Sequence, residues 1–145
     1  MKPLLSISCF ALVGLLSAQQ PPPLPPESTP KDVRDFIRTA AEALANKDAT
    51  DFLDRFDGKM PGFDTLNFYI QALVTHDAVL SSIEIVTDKS EDKDDRKQRA
   101  MLLDWILTID SDRSRRQLVN VRIERQGKKW KFTSLDPVDF FKPPS

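Results

Sequence analysis

The apolar positions of this chain change period once, near Asp77, and the change divides it into a helical half and a strand half. Val33, Phe36, Ile37, Ala40 and Leu44 follow the i, i+3, i+4, i+7 spacing that lines one face of an α-helix. Thr29-Pro30-Lys31-Asp32 stands ahead of them with the form of a capping box and a proline at the first helical position. Asn46-Lys47 interrupts the pattern. Asp48 then predicts the cap of a short second helix carrying Ala49, Phe52, Leu53 and Phe56, which Gly58 stops. After the Met60-Pro61-Gly62 turn, Phe63, Leu66, Tyr69, Ile70, Leu73 and Val74 predict a third helix ending near His76-Asp77.

Beyond Asp77, Ser81, Ile83, Ile85 and Thr87 alternate with Leu80, Ser82, Glu84 and Val86 as the two faces of a strand do. Asp88 to Gln98 (DKSEDKDDRKQ) has mixed charge and no apolar residue, which predicts a long solvated hairpin loop. Ala100 to Asp110 is the strongest strand, with Met101, Leu103, Trp105, Leu107 and Ile109 on the face expected in the core. Leu102, Asp104, Ile106 and Thr108 form its other face. A turn follows at Asp110 to Ser114, then an alternating strand through Val119, Val121 and Ile123, a turn at Gln126-Gly127, and a last strand opened by Trp130 and Phe132. Short connections between long strands predict a curved antiparallel sheet of about four strands. Helices first and strands afterwards, without βαβ alternation, predict an α+β fold with the N-terminal helices packed on that sheet.

The N-terminus reads differently. Lys2, the apolar stretch Leu4 to Leu16 and the small residues Ser17-Ala18 have the order of a secretory signal peptide, cleaved near Ala18. The stretch is short of the roughly 20 apolar residues of a spanning helix. Residues 1–18 are thus expected to be a leader, and the protein secreted or periplasmic, with no stable membrane insertion after cleavage. The one cysteine, Cys9, falls in that leader, so the mature chain would hold no disulfide. Residues 19–30 contain six prolines and favour extended polyproline II, a tether more than a ligand for a proline-recognition module. One domain over 31–141 and a tail over 142–145 complete the organisation.

Composition narrows function by exclusion. The 145 residues are 40% hydrophobic and 30% charged with net charge −1, so no global field attracts nucleic acid or anionic lipid. Only 4 glycines occur, and none form a phosphate-cradling loop. No cofactor is expected. No metal is expected either: His76 is the one histidine and no mature cysteine could complete a zinc site. Glu91, Asp92, Asp94 and Asp95 suggest calcium, but interleaved lysines and a missing central glycine oppose it. Lys128, Lys129 and Lys131 around Trp130 have the makings of a stacking platform for nucleic acid, whereas a solvated hairpin with one buried aromatic accounts for them equally, and export leaves no nucleic-acid partner.

The segment "ALANKDATDFLDRF" (Ala43 to Phe56), where a small-residue helix end runs into an Asp-led helix, and the closing "VNVRIERQGKKWKFTSLDP" (Val119 to Pro137), a basic hairpin with a Trp-x-Phe ending, resemble the nuclear transport factor two-like superfamily. The resemblance covers Lys31 to about Phe141. It implies a cone-shaped α+β fold with a pocket between helices and concave sheet, either open or filled by side chains such as Phe63 and Phe68. Enzymes of the group, ketosteroid isomerase among them, place an acid or base there; no complete catalytic set aligns with this chain.

Four residues carry the candidate chemistry. Asp104, between Leu102 and Ile106, could be a desolvated base or the partner of Arg122 on the neighbouring strand. Tyr69 could reach a cavity with its hydroxyl or pack its ring with the tip in water. His76 beside Asp77 could form an acid/base pair, or simply end a helix. Trp105 is core first and pocket lining second. The favoured reading is an exported, non-catalytic domain that binds a small apolar ligand or a protein partner through Tyr69, Trp105 and Asp104. The alternatives are a small cofactor-independent isomerase, dehydratase or cyclase using Asp104, Tyr69 or His76, and a structural homodimer through the sheet.

Overall fold

In the computed structural model, residues 28–144 are described. The expected leader 1–18 with Cys9, and residues 19–27 of the proline-rich segment, lie outside the described residues. Helix α1 (Lys31–Ala45) turns Val33, Phe36, Ile37, Ala40 and Leu44 into the core. Helix α2 (Ala49–Leu53) is capped by Asp48, whose carboxylate accepts from Asp51 N–H at 2.9 Å. Helix α3 (Phe63–Leu73) starts from Gly62 at φ 81°, a backbone conformation that glycine adopts without strain.

The expected capping box at α1 is not made. Pro30 occupies the cap, and no side chain bonds there. Thr29 instead donates its hydroxyl to Asp88 at 2.8 Å, and Asp32 accepts from the indole N–H of Trp130 at 3.0 Å. Both partners lie in the sheet, so long-range bonds have displaced the local pairing that the sequence spacing suggests.

Strands β1 (Val79–Ser90), β2 (Gln98–Ile109), β3 (Arg113–Gln126) and β4 (Lys129–Asp136) form one antiparallel sheet in chain order. β1 and β4 are therefore its edges. Met101, Leu103, Trp105, Leu107 and Ile109 of β2 are buried with Val119, Val121 and Ile123 of β3 and with Phe132 and Leu135 of β4. This is the face the helices cover. A 3₁₀ turn (Val138–Phe141) after β4 returns Phe140 and Phe141 into the same core.

The charged hairpin departs from expectation in its first residues. β1 continues to Ser90, and a bulge between Ile85 and Thr87 shifts its register against β2. Without the extra residue, Asp88 would share the outward face with Ser82 and Glu84; with it, Asp88 stands opposite Met101 and points inward. Asp88 is 2% exposed. Both of its oxygens accept from Arg99, at 2.9 Å each, and one also accepts from Thr29. An extra residue in a strand inverts every later face assignment, and alternation alone cannot reveal it.

Candidate binding groove

The space between helices and sheet is filled by aromatic side chains. Trp105, 0% exposed, meets Phe141 at 4.9 Å between ring centroids, Phe140 at 6.1 Å and Phe52 at 6.2 Å. Phe132 lies 4.6 Å from Phe56 and 4.8 Å from Phe36. Phe63 and Phe68 are not these fillers: Phe63 packs at the margin, and Phe68 is 72% exposed. The 3₁₀ return supplies the missing volume through Phe140 and Phe141.

Open space lies instead between α1 and the edge strand β1, as a groove of about 840 Å³. Its apolar lining is Ile37 and Ala41 from α1 and the half-buried Ile83 and Ile85 from β1. Ser81 also lines it, and its hydroxyl oxygen accepts from Trp105 Nε1 at 2.9 Å, so the groove ends against the packed interior. Its rim is ionic. Lys31 and Arg38 bond Asp35 at 2.8 and 3.2 Å, and Arg38 also bonds Glu42 at 3.1 Å. The bonds from Lys31 and then Arg38 hold the Asp35 carboxyl below the usual aspartate range, and the rim stays charged at neutral pH. A smaller cleft of about 400 Å³ lies beside Trp130, whose ring carries the Arg125 guanidinium 5.9 Å from its centroid. Lys131 there donates to the Asp54 carbonyl.

The four candidate residues do not converge. Asp104 lies on the outward sheet face, opposite Leu118, and its two oxygens accept from Arg116 at 3.0 and 2.6 Å. Arg116, diagonal to it across the ladder, takes the place expected for Arg122; the latter pairs with Glu91 of the hairpin. The hydrogen bond from Arg116 keeps Asp104 below the usual carboxylate range. Trp105 points to the opposite, covered face. Tyr69 on α3 donates its hydroxyl to Asp139 at 3.1 Å, and desolvation followed by that bond pushes the phenol up. Neither Tyr69 nor Asp104 lines the groove.

His76 pairs with Asp110 rather than with its neighbour Asp77. Its Nδ1 lies 2.8 Å from Asp110 Oδ2, while Asp110 Oδ1 accepts the main-chain N–H of Asp77 at 2.9 Å and of Ala78 at 3.3 Å. Lys47 donates to the carbonyls of His76 and Asp77. The cluster clips the α1–α2 loop and the entry to β1 onto the β2–β3 turn. The His76 bond, and then the Ala78 N–H, depress the Asp110 pKa. A depressed folded pKa contributes stability above the unfolded aspartate value, which is lost as pH falls through the folded one. Asp110→Asn is accordingly expected to flatten the acid limb of a urea-midpoint profile below the ordinary aspartate range. An unchanged limb in the variant would remove Asp110 from acid stability.

Among the described residues no cluster of three or more His, Cys, Asp or Glu side chains could hold a metal ion, and no helix is long and apolar enough to cross a membrane.

No protein-family model matches the sequence, and no curated protein matches it. Solved structures do match in shape. Bd1075 of Bdellovibrio bacteriovorus superposes with TM-score 0.55 at 14% identity, over 73% of this chain and 38% of that one. A Novosphingobium aromaticivorans protein provisionally assigned as a scytalone dehydratase gives 0.55 at 8% identity, over 72% of this chain and 79% of that one. The β subunit of benzoate 1,2-dioxygenase from Burkholderia mallei gives 0.52 at 16%, over 72% and 85% respectively. A Streptomyces avermitilis protein provisionally named a dehydratase of the NTF2-like family gives 0.50 at 11% identity, over 77% of this chain and 95% of that one. The chain has the nuclear transport factor two-like fold. The match to Bd1075 spans well under half of that protein's length. The groove was missed in the sequence because alternation over Leu80 to Thr87 marks a strand but not its place in the sheet; only the strand order makes β1 an edge and leaves Ile83 and Ile85 half-buried.

Proposed function

We propose that this chain is an exported, non-catalytic domain that holds a small, elongated apolar ligand in the groove between α1 and β1. The observation that carries the reading is the composition of that groove: an aliphatic lining of Ile37, Ala41, Ile83 and Ile85, the hydroxyls of Ser81 and Ser82, and ionised groups confined to the rim. Apolar walls with few polar groups are the usual make-up of small-molecule sites. Acid–base catalysis needs a titratable group within hydrogen-bond reach of the reacting atoms. The rim carboxylates Asp35 and Glu42 are tied to Lys31 and Arg38, Glu84 stands on the outward face of β1, turned away from the aliphatic lining, and Tyr69, Asp104 and His76 each bond elsewhere, so an isomerase or dehydratase reading finds less support, although a neighbour in shape is assigned as a dehydratase.

Native mass spectrometry of protein purified gently from its own host tests this. A co-purifying apolar compound is expected, and Ala41→Phe, which projects a ring into the groove, is expected to remove it while the domain stays folded. A protein that never carries a ligand, or a ligand retained in Ala41→Phe, would count against the groove. A homodimer through the uncovered sheet face is a second reading, favoured by Leu80 at 61% and Leu118 at 52% exposure on that face.

A further inference from the structure

We infer that the groove is completed by a second copy of this chain, whose β1 pairs antiparallel with β1 about a two-fold axis at Ile83. The inference deepens the ligand reading of the same groove, by stating what closes it, and it begins with the lining. Five consecutive residues, Ser81 to Ile85, line the groove. Successive strand side chains point to opposite faces, so a surface that touches all five must run along the main-chain edge of β1.

That edge has free pairing capacity of a defined kind. Asp110 N–H donates to the Ala78 carbonyl at 2.8 Å, which turns the main chain of Ala78 towards β2. Alternation in an antiparallel ladder then directs Leu80, Ser82 and Glu84 to β2. Ser81, Ile83 and Ile85 therefore present their N–H and C=O groups to the open side, and β2 is the one strand among the described residues that pairs with β1. Edge strands are ordinarily protected by lysine, proline or charge. Val79 to Thr87 contains no lysine or proline and a single charge, Glu84.

A second copy fits this edge in its pairings. Centred on Ile83, the register sets Ile83 against Ile83, Ser81 against Ile85, and Glu84 against Ser82, so that a hydroxyl and no like charge faces the carboxylate. The bulge after Ile85 bounds the paired stretch to the residues that line the groove. Helix α1 runs antiparallel to β1, since Thr29 bonds Asp88 at one end and Lys47 bonds the carbonyls of His76 and Asp77 at the other. The same axis brings Arg34, which has no ion pair among the described residues, level with Glu42 of the second copy. Arg38 falls near the axis in both copies, each held between its own Asp35 and Glu42. The two open grooves then face one another and form one shared, enclosed chamber.

Two readouts on the full chain test the pairing, and neither depends on a ligand. Residue-resolved amide exchange at rising protein concentration is expected to slow Ser81, Ile83 and Ile85 by about tenfold or more, while Ser82 and Glu84, already bonded to β2, change little. Sedimentation of Ile83→Lys is expected to show dimerisation weakened by about a hundredfold, because two ammonium groups meet at the axis. Ile83→Glu is expected to behave likewise, and an equimolar mixture of the two to dimerise again. A monomer at every concentration overturns the inference, as does a dimer that survives Ile83→Lys, or one lost in the outward-face variant Ile106→Glu with edge amides that never slow. Each of these leaves the ligand result standing on its own, so the two readings fail separately.

Discussion

Asp88→Ala is expected to destabilise the domain by about 3 kcal/mol, at the lower end of what breaking a buried ion pair costs. The carboxylate is almost completely enclosed, and it takes two bonds from Arg99 and one from Thr29. Removing it leaves a guanidinium with its side chain only 17% exposed, and a threonine hydroxyl without its acceptor. The partial exposure of Arg99 lets water recover some of the loss, hence the lower end. The loss comes from stranding the partners more than from the pair itself. Replacing Asp88, Arg99 and Thr29 together by Leu, Met and Val is accordingly expected to cost less than Asp88→Ala alone, because no buried charge is then left unpaired. Urea denaturation of both variants checks this; a triple variant as unstable as the sum of its single changes would show that the cluster contributes through its own attraction. Asp88→Ala should also loosen the start of α1, where Thr29 anchors the chain and where Lys31 and Arg34 form one end of the groove rim, so amide protection in that first turn should fall with it.

What could be read from the sequence was whatever depended on local period. The β2 stripe from Met101 to Ile109 and the α1 stripe from Val33 to Leu44 lie in the core as their spacings predict, because large apolar residues at a regular period have one way to leave water. The helices-then-strands order likewise led to the observed α+β architecture. What could not be read depended on a neighbour remote in the chain. Thr29 and Asp32 have the local form of a cap, yet each bonds a sheet residue 59 or more positions away. Asp104 alternates correctly with Trp105, but period alone does not select Arg116 over Arg122 as its partner. The bulge after Ile85 leaves no mark in a mixed polar segment, and so Asp88 reads as solvated. The groove is a property of strand order, which only the folded sheet reveals.

The largest effect is expected at Trp105, where the fold's interior meets the groove. Trp105→Ala removes a fully buried indole flanked by Phe52, Phe140 and Phe141, and large-to-small changes of this kind cost about 3–5 kcal/mol, depending on how far the walls collapse. It also deprives the Ser81 hydroxyl of its donor. Since Ser81 lines the groove, the vacated volume is expected to join it, converting a shallow lateral groove into a deep pocket. Indole added to Trp105→Ala should therefore raise its melting temperature, by an amount set by the excess over its dissociation constant, about 2.7 kcal/mol at a hundredfold excess. Wild type, with its own indole in place, should not respond to the same extent. If Trp105→Ala unfolds outright, Trp105→Leu retains enough volume to keep the domain folded and still opens part of the cavity. An equal response of wild type and variant would mean that added indole binds at the surface groove and that the interior has collapsed. A variant-specific response would mean that in this chain a tryptophan fills what would otherwise be an interior chamber, and that the aliphatic groove beside it is what remains exposed.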